Sequence, residues 1–350
     1  MAETDSSKLA NLAKFQKDAV ITTMHIINDY RGVIIADSTG LGKTHIGIEI
    51  IRQKRHQDNK KVLLIAPSQV LESVWKVKLE SAGITIKTIT MESLGRDTFE
   101  DELHKYRNID TVVIDESQNF RSKNANRRIN LMKLMSGKKK DAILLSATPI
   151  NNSIMDLYYQ VSIITNGDDT YFSNIGIPNL YQHMRKAANE GIGNGLQKIQ
   201  QLLDAIMIRR TESFIKDVYP NEKLNGKLVK FPKREYSPIY YDLSETTGTN
   251  VYSELLDTVE KLHMVPYGVE TYNKTLSKEE REKHKVLATL QTIIILKRFE
   301  SSTYAAKISI DNKIRLYEHF EKTLKNNSIV SVKETQQDNG KMEEADRWRR

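Results

Sequence analysis

Four continuous apolar runs, each ended by polar residues, constrain the fold of this chain more than any other feature. They are GVIIAD (Gly32–Asp37), KVLLIAP (Lys61–Pro67), TVVIDE (Thr111–Glu116) and AILLSATP (Ala142–Pro149). Such runs are typical of strands that are buried on both faces of a parallel sheet. Amphipathic stretches over Thr44–His56 and Ser68–Ser81 predict helices between them. The pattern predicts an open α/β sheet, whose ligands bind beyond the carboxyl ends of the strands.

The segment DSTGLGKT, residues 37–44, follows the first run and precedes the first predicted helix. Its two glycines, Gly40 and Gly42, allow a tight turn whose backbone N–H groups face an anion together with the helix N-terminus. In such a phosphate loop Lys43 reaches the β and γ phosphates, and the Thr44 hydroxyl ligates Mg²⁺. Asp37 stands where the simplest pattern, G-x-x-x-x-G-K-T, has its first glycine. The alternative interpretation is a glycine-rich turn with an incidental lysine.

Two further strand ends carry polar groups that suit a nucleotide. IDESQ ends the third run, where Asp115 is expected to hold Mg²⁺ through its water shell and Glu116 to orient or deprotonate the attacking water. LLSATPINN ends the fourth run, where the hydroxyls of Ser146 and Thr148 are placed to relay the nucleotide state to a distant surface. The alternatives are helix capping by the acids, and capping plus a turn at Pro149 for the hydroxyls.

Composition narrows the classes of function. Lys and Arg number 53 and Asp and Glu 45, so 53 − 45 leaves a surplus of +8 that suits a polyanionic partner without naming it. The absence of cysteine excludes disulfides and cysteine-ligated clusters. The eight histidines show no metal-ligand spacing, so nucleotide-borne Mg²⁺ is the only metal expected. No apolar run nears the ~20 residues that span a bilayer and no secretory leader is seen, so we expect a cytoplasmic protein.

Six segments occur in a characteristic order: FQKDAV, DSTGLGKT, LLIAPSQVLESVW, VVIDESQNFRS, LLSATPINN and IMIRRT. Together they resemble the first RecA-like lobe of superfamily 2 ATPases, and more narrowly the Swi/Snf-type DNA translocases, including bacterial RapA-like and phage-defence or restriction-associated helicases. The resemblance covers roughly residues 10–245. It implies a RecA-like P-loop NTPase lobe with helical protrusions, ATP and Mg²⁺ as cofactors, and double-stranded DNA as a partner.

The resemblance also assigns roles residue by residue. Lys43, Asp115 and Glu116 are implied to be catalytic, and Gln16 matches the glutamine that reads the adenine edge. The residues implied to bind the nucleotide are Gln16, Asp37, Thr39, Gly40, Leu41, Gly42, Lys43 and Thr44, with Thr44 and Asp115 on Mg²⁺. Those implied to contact nucleic acid are Pro67, Ser68, Arg209 and Arg210. Those implied to couple the acidic box (IDESQ, residues 114–118) to the SAT strand (LLSATPINN, residues 144–152) are Gln118, Ser146 and Thr148.

Three departures from the family pattern bear on these expectations. The fourth position of the acidic box is Gln118 rather than histidine, and the motif SATP stands where eukaryotic remodellers usually have GTP. No Q-x-x-G-R-x-x-R element, the family's source of arginine fingers, follows Ile150. We therefore expect a second RecA-like lobe, from the same parent chain or a partner. We expect this chain alone to hydrolyse ATP weakly or not at all.

Domain boundaries follow from the change of pattern after Ile150. We expect a first RecA-like lobe over residues 1–220 that contains a helical insertion at about 151–206, broken at GIGNG (Gly191–Gly195). An extended connector is predicted over 221–245 and a helical protrusion over 246–323. Residues 324–350 are predicted to be a linker or frayed tail towards the second lobe.

The sequence thus predicts the ATP-binding half of an ATP-dependent double-stranded DNA translocase. Two alternatives stay open: a nucleotide-dependent binding module without turnover, and a lobe of a DEAD-type RNA helicase, against which DESQ, Asn151–Asn152 and the insertion ending in IRRT argue. Basic clusters within residues 52–61 and 138–140 suit either phosphates or a solvated face. Trp75 is expected to pack in the helix layer rather than to stack on a base.

Overall fold

The computed structural model describes residues 12–56, 58–122, 125–224, 227–229, 231–232, 235–238, 251–262, 264–265 and 277–326. The chain divides into two compact units, with the boundary between residues 233 and 234. All the motif residues above belong to the first unit. The predicted domain boundaries stay predictions. About half of the predicted connector, 221–245, and most of the predicted tail, 324–350, lie outside the described residues.

A six-stranded parallel sheet forms the centre of the first unit. Its strands are β1 (Gly32–Ile35), β2 (Val62–Ala66), β3 (Lys87–Thr90), β4 (Thr111–Ile114), β5 (Asp141–Leu145) and β6 (Met207–Ile208). Their order across the sheet is β3-β2-β4-β5-β1-β6, and every neighbouring pair is parallel. The predicted fold class, a RecA-like α/β lobe with a parallel sheet, is confirmed.

Helices surround this sheet. They are α1 (Lys14–Tyr30), α2 (Lys43–His56), α3 (Ser68–Val70, Leu71–Lys76 and Val77–Ser81), α4 (Met91–Leu94), α5 (Asn126–Met135), α6 (Ile154–Ile164), α7 (Leu180–Asn189), α8 (Gly191–Lys198), α9 (Gln200–Ile206) and α10 (Glu212–Val218). The middle segment of α3 is a π-helical turn. Short 3₁₀ segments lie at Asp97–Tyr106, Ser117–Phe120 and Ser173–Ile175, and β7 (Lys223–Leu224) pairs with β8 (Lys227–Leu228) as an antiparallel hairpin.

The continuous apolar runs are explained by burial on both faces of the sheet. Side chains alternate between the faces along each strand. In β1, Val33 packs in a core shared with α1, α2 and α3, whereas Ile34 packs in a core shared with α5, α6, α7 and α9. Val113 and Ile114 of β4 divide in the same way. Because both layers are apolar, these strands need no polar face, and the chain shows no period-2 alternation there.

The region after Ile150 is helical as α6 to α9, and the helix breaks at Gly191, the first residue of GIGNG, which has φ +80°. The rest of GIGNG is helical and belongs to α8. Gly195 packs against the backbone carbonyl of Ala187 in α7 so closely that a Cβ there would overlap it. Gly195 therefore permits close packing of two helices, a use that a propensity argument does not detect.

The second unit is helical where it is described. Its helices are α11 (Val251–Glu260), α12 (Lys278–Ser301) and α13 (Thr303–Lys325). The break between α12 and α13 falls at Ser302, whose hydroxyl accepts a hydrogen bond from the Ala305 N–H at 3.3 Å and caps α13. A small core of Val259, Met264 and Ile295 lies in this unit. Among the described residues of the whole chain, no helix combines the length and apolar content that crossing a membrane requires.

Candidate nucleotide site

The sheet order brings three of the predicted motifs together. The strands β4, β5 and β1 are neighbours in that order, and they end at the acidic box, the SATP motif and the phosphate loop. Because the strands are parallel, their carboxyl ends share one edge of the sheet. This is the edge at which open α/β sheets bind ligands.

The phosphate loop has the backbone that its sequence predicts. Gly40 and Gly42 have φ angles of +91° and +83°, which a side chain would strain. Lys43 begins α2, and its ammonium donates to the backbone carbonyl of Asp37 at 2.7 Å. Thr44 lies half-buried in the first turn of α2, and Thr39 is exposed at the tip of the loop. The loop forms an open cradle in front of a helix N-terminus, the geometry that binds phosphate groups.

Lys43 lies within electrostatic range of the acidic box. Burial lowers the pKa of its ammonium, and the carboxylates of Asp37, Glu116 and Asp115 oppose that shift. Lys43 and the paired carboxylates are about 70 residues apart in the chain, and the tertiary structure brings them close enough to interact electrostatically. A cation beside paired acids suits a phosphate chain that carries Mg²⁺.

Asp37 and Arg210 occupy positions that the sequence does not predict. Asp37 is fully buried, and its Oδ1 accepts hydrogen bonds from Arg210 N and Nε, each at 3.0 Å. Arg210 also pairs with Asp37 Oδ2, donates to the Phe15 carbonyl and lies over the Phe15 ring. With 8% of its surface exposed, Arg210 is no surface contact for nucleic acid, and that expectation is corrected. The pair instead ties the end of β6 to the start of the phosphate loop.

The side chain of Asp37 likewise faces away from the phosphate cradle. Its carboxylate is committed to Arg210, and its backbone carbonyl is the part that contacts Lys43. The carboxylate is therefore occupied, and nucleotide binding by the Asp37 backbone stays a prediction. The aspartate that stands at the first glycine of the simplest phosphate-loop pattern thus has a buried cationic partner.

Gln16 lies against the phosphate loop. Its Oε1 accepts from the Ala13 N–H at 3.1 Å, and its Nε2 donates to the Leu41 carbonyl at 3.1 Å. A Cβ on Gly42 would overlap this amide, so the second loop glycine also makes room for Gln16. The residue implied to read adenine is thus held by the loop that is predicted to bind phosphate. Its recognition of adenine stays a prediction.

Asp115 is buried at the end of β4 and is held by two donors. The Trp75 indole N–H donates to Oδ2 at 2.7 Å, and the Glu116 N–H donates to Oδ1 at 2.9 Å. Burial raises the pKa of the Asp115 carboxyl, and the bond from Trp75 opposes that rise. Trp75 is fully buried in α3, where the sequence predicts packing. Its hydrogen bond to Asp115 is a finding that the sequence does not predict.

Glu116 and the SAT strand are joined by Gln118. Its Nε2 donates to Glu116 Oε2 at 2.6 Å, and its Oε1 accepts from the Ser146 hydroxyl at 2.7 Å. The same hydroxyl accepts from the Thr148 N–H at 3.1 Å. Gln118, which stands where the family has a histidine, thus hydrogen-bonds to both the acidic box and the SAT strand. Glu116 has a left-handed backbone with φ +51, a conformation rare outside glycine that concentrates at functional sites.

A second bridge between the same two segments was missed by sequence reasoning. The Ser117 hydroxyl donates to Gln160 Oε1 at 2.9 Å, and Gln160 Nε2 donates to the Pro149 carbonyl at 2.5 Å. Asp156 accepts from the N–H groups of residues 151–153 at 2.8 to 3.2 Å. The pattern Ser153-x-x-Asp156 is a capping box that the sequence does signal. Gln160, a fully buried amide on α6, has no such local signal.

The residues implied to contact nucleic acid fall into different environments. Ser68 is exposed at the carboxyl end of β2, where its N–H donates to Glu92 Oε2 at 3.0 Å, and Pro67 beside it is half-buried. Arg209 is exposed after β6. These three residues share the carboxyl edge of the sheet with the phosphate loop.

The two basic clusters lie elsewhere. Lys60 and Lys61 precede β2, and residues 138–140 precede β5, so both groups lie at the amino edge of the sheet. Lys54 is buried and pairs with Asp58 at 3.0 Å and Asp141 at 3.4 Å. The clusters therefore do not extend the surface of Ser68 and Arg209.

The residues present fit a nucleotide-borne Mg²⁺. The Thr44 hydroxyl and the Asp115 carboxylate are hard oxygen donors of the kind that Mg²⁺ prefers. Among the described residues there is no group of three or more Asp, Glu or His side chains that could hold a metal by itself. Mg²⁺ binds few protein ligands when substrate phosphates supply the others, and this donor set matches that case.

The parallel sheet, the phosphate loop and the acidic box at one edge define the RecA-like class of P-loop folds. Two family models match the chain. The model of the SNF2-related domain matches residues 77–303, and that of the type III restriction enzyme res subunit matches residues 9–84. The SNF2-related match covers more than half of the chain, which therefore belongs to the SNF2-related domain family.

Curated relatives are longer proteins. The chain is 24% identical over 271 residues to the uncharacterized ATP-dependent helicase MG018 of Mycoplasma genitalium, covering 69% of this chain and 23% of that protein. It is 25% identical over 290 residues to the bovine (Bos taurus) DNA annealing helicase and endonuclease ZRANB3, covering 74% and 25%. It thus spans about a quarter of these relatives. The SWI2/SNF2 ATPase core of Sulfolobus solfataricus in complex with dsDNA matches with a TM-score of 0.47 and 21% identity, over 60% of this chain and 47% of that one.

Proposed function

We propose that this chain is the ATP-binding half of an ATP-dependent double-stranded DNA translocase. The observation that carries the proposal is geometric: the phosphate loop, the acidic box and the SATP motif follow the neighbouring strands β1, β4 and β5 at one edge of the parallel sheet. Membership of the SNF2-related family supports the reaction class, and helicase names recur among the relatives. A DNA annealing helicase among the relatives is the reason to propose duplex DNA rather than RNA.

In this proposal the chain's own residues bind and position the reactants. The loop N–H groups and Lys43 hold the phosphates, and Gln16 faces the base. Glu116 orients the attacking water, or accepts its proton, for in-line attack on the γ-phosphate. Asp115 and Thr44 would hold Mg²⁺, which would neutralise the charge that develops on the phosphates. Gln118 then couples Glu116 to Ser146, so that the state of the nucleotide reaches the SAT strand.

A second RecA-like lobe completes the site in this proposal. Arginine fingers supply about 10³–10⁵ in rate in related phosphoryl-transfer systems. We expect the present chain to bind ATP and to hydrolyse it weakly or not at all. Exposed Ser68 and Arg209, on the same edge of the sheet, are the residues proposed to contact the DNA backbone.

Two measurements test the proposal. Titration with a fluorescent ATP analogue in Mg²⁺ should show saturable binding that Lys43→Ala abolishes and Lys60→Ala, a control at the opposite edge, leaves unchanged. Steady-state ATPase assays with duplex DNA and with single-stranded RNA should show little turnover by this chain. Brisk DNA-stimulated turnover would contradict the half-enzyme proposal, and equal binding by wild type and Lys43→Ala would contradict the site. Binding with no turnover, even when the second lobe is joined, would favour a nucleotide-dependent binding module.

A further inference from the structure

Trp75 connects three elements around the nucleotide site. Its indole is fully buried, and its N–H donates to Asp115 Oδ2 at 2.7 Å. Its ring packs on α2, where a Cβ built at Gly47 would lie 2.7 Å from Trp75 Cη2. Only glycine therefore admits the ring at this point of the helix that follows the phosphate loop. The indole bridges that helix to the acidic end of β4.

The backbone around Trp75 is unusual. Trp75 lies in the π-helical turn Leu71–Lys76, and single π-turns inside α-helices are rare and frequent at functional sites. The helix α3 that carries it begins at Ser68, directly after β2. The indole therefore belongs to the same rigid element as the exposed segment proposed to contact DNA.

The two donors on Asp115 fix the rotation of its carboxylate. Trp75 holds Oδ2 and the Glu116 N–H holds Oδ1, so each oxygen keeps a lone-pair direction for a metal-bound water. Groups that hydrogen-bond to a metal-holding carboxylate usually change metal affinity or activity 10- to 100-fold when they are replaced. A ring that only filled the core would need no donor aimed at this oxygen.

We propose that Trp75 is a positioning residue, whose indole N–H orients the Asp115 carboxylate towards nucleotide-borne Mg²⁺ and links that carboxylate to helix α3. This inference rests on the function proposed above. It predicts that loss of the N–H weakens the use of Mg²⁺ while the affinity for the nucleotide itself is retained. It also predicts a hydrogen bond that is detectable without any turnover.

The first test separates the N–H from the shape of the ring. Benzothienylalanine at position 75 keeps the bicyclic ring and lacks the donor, and Trp75→Phe removes both the donor and part of the ring. The whole chain is titrated with a fluorescent ATP analogue at a series of Mg²⁺ concentrations and in EDTA. For the isostere we expect the apparent Mg²⁺ affinity to fall about tenfold, with wild-type binding in EDTA. A wild-type Mg²⁺ dependence of the isostere would overturn the proposal. Failure of the wild-type chain to bind nucleotide at all would instead overturn the proposed function.

The second test reads the hydrogen bond directly. The chain has two tryptophans, so Trp348→Phe leaves Trp75 as the single source of an indole N–H signal. In ¹H–¹⁵N spectra this signal should lie downfield and exchange slowly with solvent. Asp115→Ala should move it upfield and speed its exchange. Glu72→Ala, which alters an exposed ion pair on the same helix, should leave it in place. An indole signal that Asp115→Ala does not change would refute the bond and, with it, the positioning role.

Discussion

Replacement of Asp37 by alanine should destabilise the first unit strongly. The Asp37 side chain is 0% exposed and that of Arg210 9%, so the variant leaves a guanidinium buried without its carboxylate. The Arg210 backbone N–H loses its 3.0 Å acceptor as well. The Phe15 carbonyl and ring remain in contact with the guanidinium but do not neutralise its charge.

The size of the effect follows from this burial. Removing one partner of a buried ion pair typically costs about 3–5 kcal/mol, a large share of the ~5–15 kcal/mol that holds a domain folded. We expect a loss of that size in the free energy of unfolding for Asp37→Ala. Adding Arg210→Met removes the stranded charge and fills its place with an apolar side chain. The double variant should therefore regain ~1–3 kcal/mol over Asp37→Ala alone.

Urea unfolding measures these free energies. Because the chain has two compact units, the fluorescence of Trp75 in a Trp348→Phe background is followed, so that the signal reports the first unit. Glu102→Ala, which removes an exposed ion pair with Lys105, is the control and should change stability by less than ~1 kcal/mol. A loss under ~1 kcal/mol for Asp37→Ala, or a double variant less stable than the single one, would refute the reasoning.

Three further predictions follow from contacts around the site. Gly42→Ala should weaken binding of a fluorescent ATP analogue more than Gly40→Ala does. Both variants strain a positive φ by ~1–2 kcal/mol, but only at Gly42 does the added Cβ overlap the Gln16 amide. Equal losses of affinity would contradict this contact. Gln118→Ala should lower the DNA-stimulated turnover of the chain joined to the proposed second lobe without changing its ATP affinity, because the variant lacks the bridge from the acidic box to the SAT strand. Unchanged stimulation in a steady-state assay would exclude that bridge as the coupling. Burial and a hydrogen bond to a carboxylate raise the pKa of Tyr219 to about 12. The stability that the neutral phenol contributes is therefore fully present below the unfolded pKa of about 10 and is lost as the pH rises towards 12. Tyr219→Phe should flatten this part of the pH dependence of stability, which urea titrations at about pH 9 and pH 11 measure.

Local pattern in the sequence determined much of the protein. Runs such as VLLIA and TVVI are apolar throughout because both faces of their strands are covered, and they identify four strands without any structure. The phosphate loop is equally local, since its glycines and Lys43 act within one turn. The joint order of the motifs identified the family, which the SNF2-related match confirms.

Short edge strands were missed for a physical reason. β3 lies at one edge of the sheet with an exposed Lys87, and β6 at the other edge has two residues. β3 reads KTIT and carries no continuous apolar run, and the two residues of β6 follow directly on the apolar end of α9. Hydropathy therefore cannot separate them from loops, and pairing with a neighbouring strand decides their structure.

Only the tertiary structure decided which polar groups meet. Asp37 and Arg210 are 173 residues apart, and the order β5-β1-β6 is what brings them together. The sequence pair Arg209–Arg210 resembles a contact for phosphates. In the structure Arg210 is buried and pairs with Asp37, whereas Arg209 is exposed. The sequence around Trp75 likewise predicts only that its ring is packed. The hydrogen bond from its indole N–H to Asp115 depends on the tertiary structure. Sequence patterns report local burial, but a long-range hydrogen bond depends on how the sheet orders its strands.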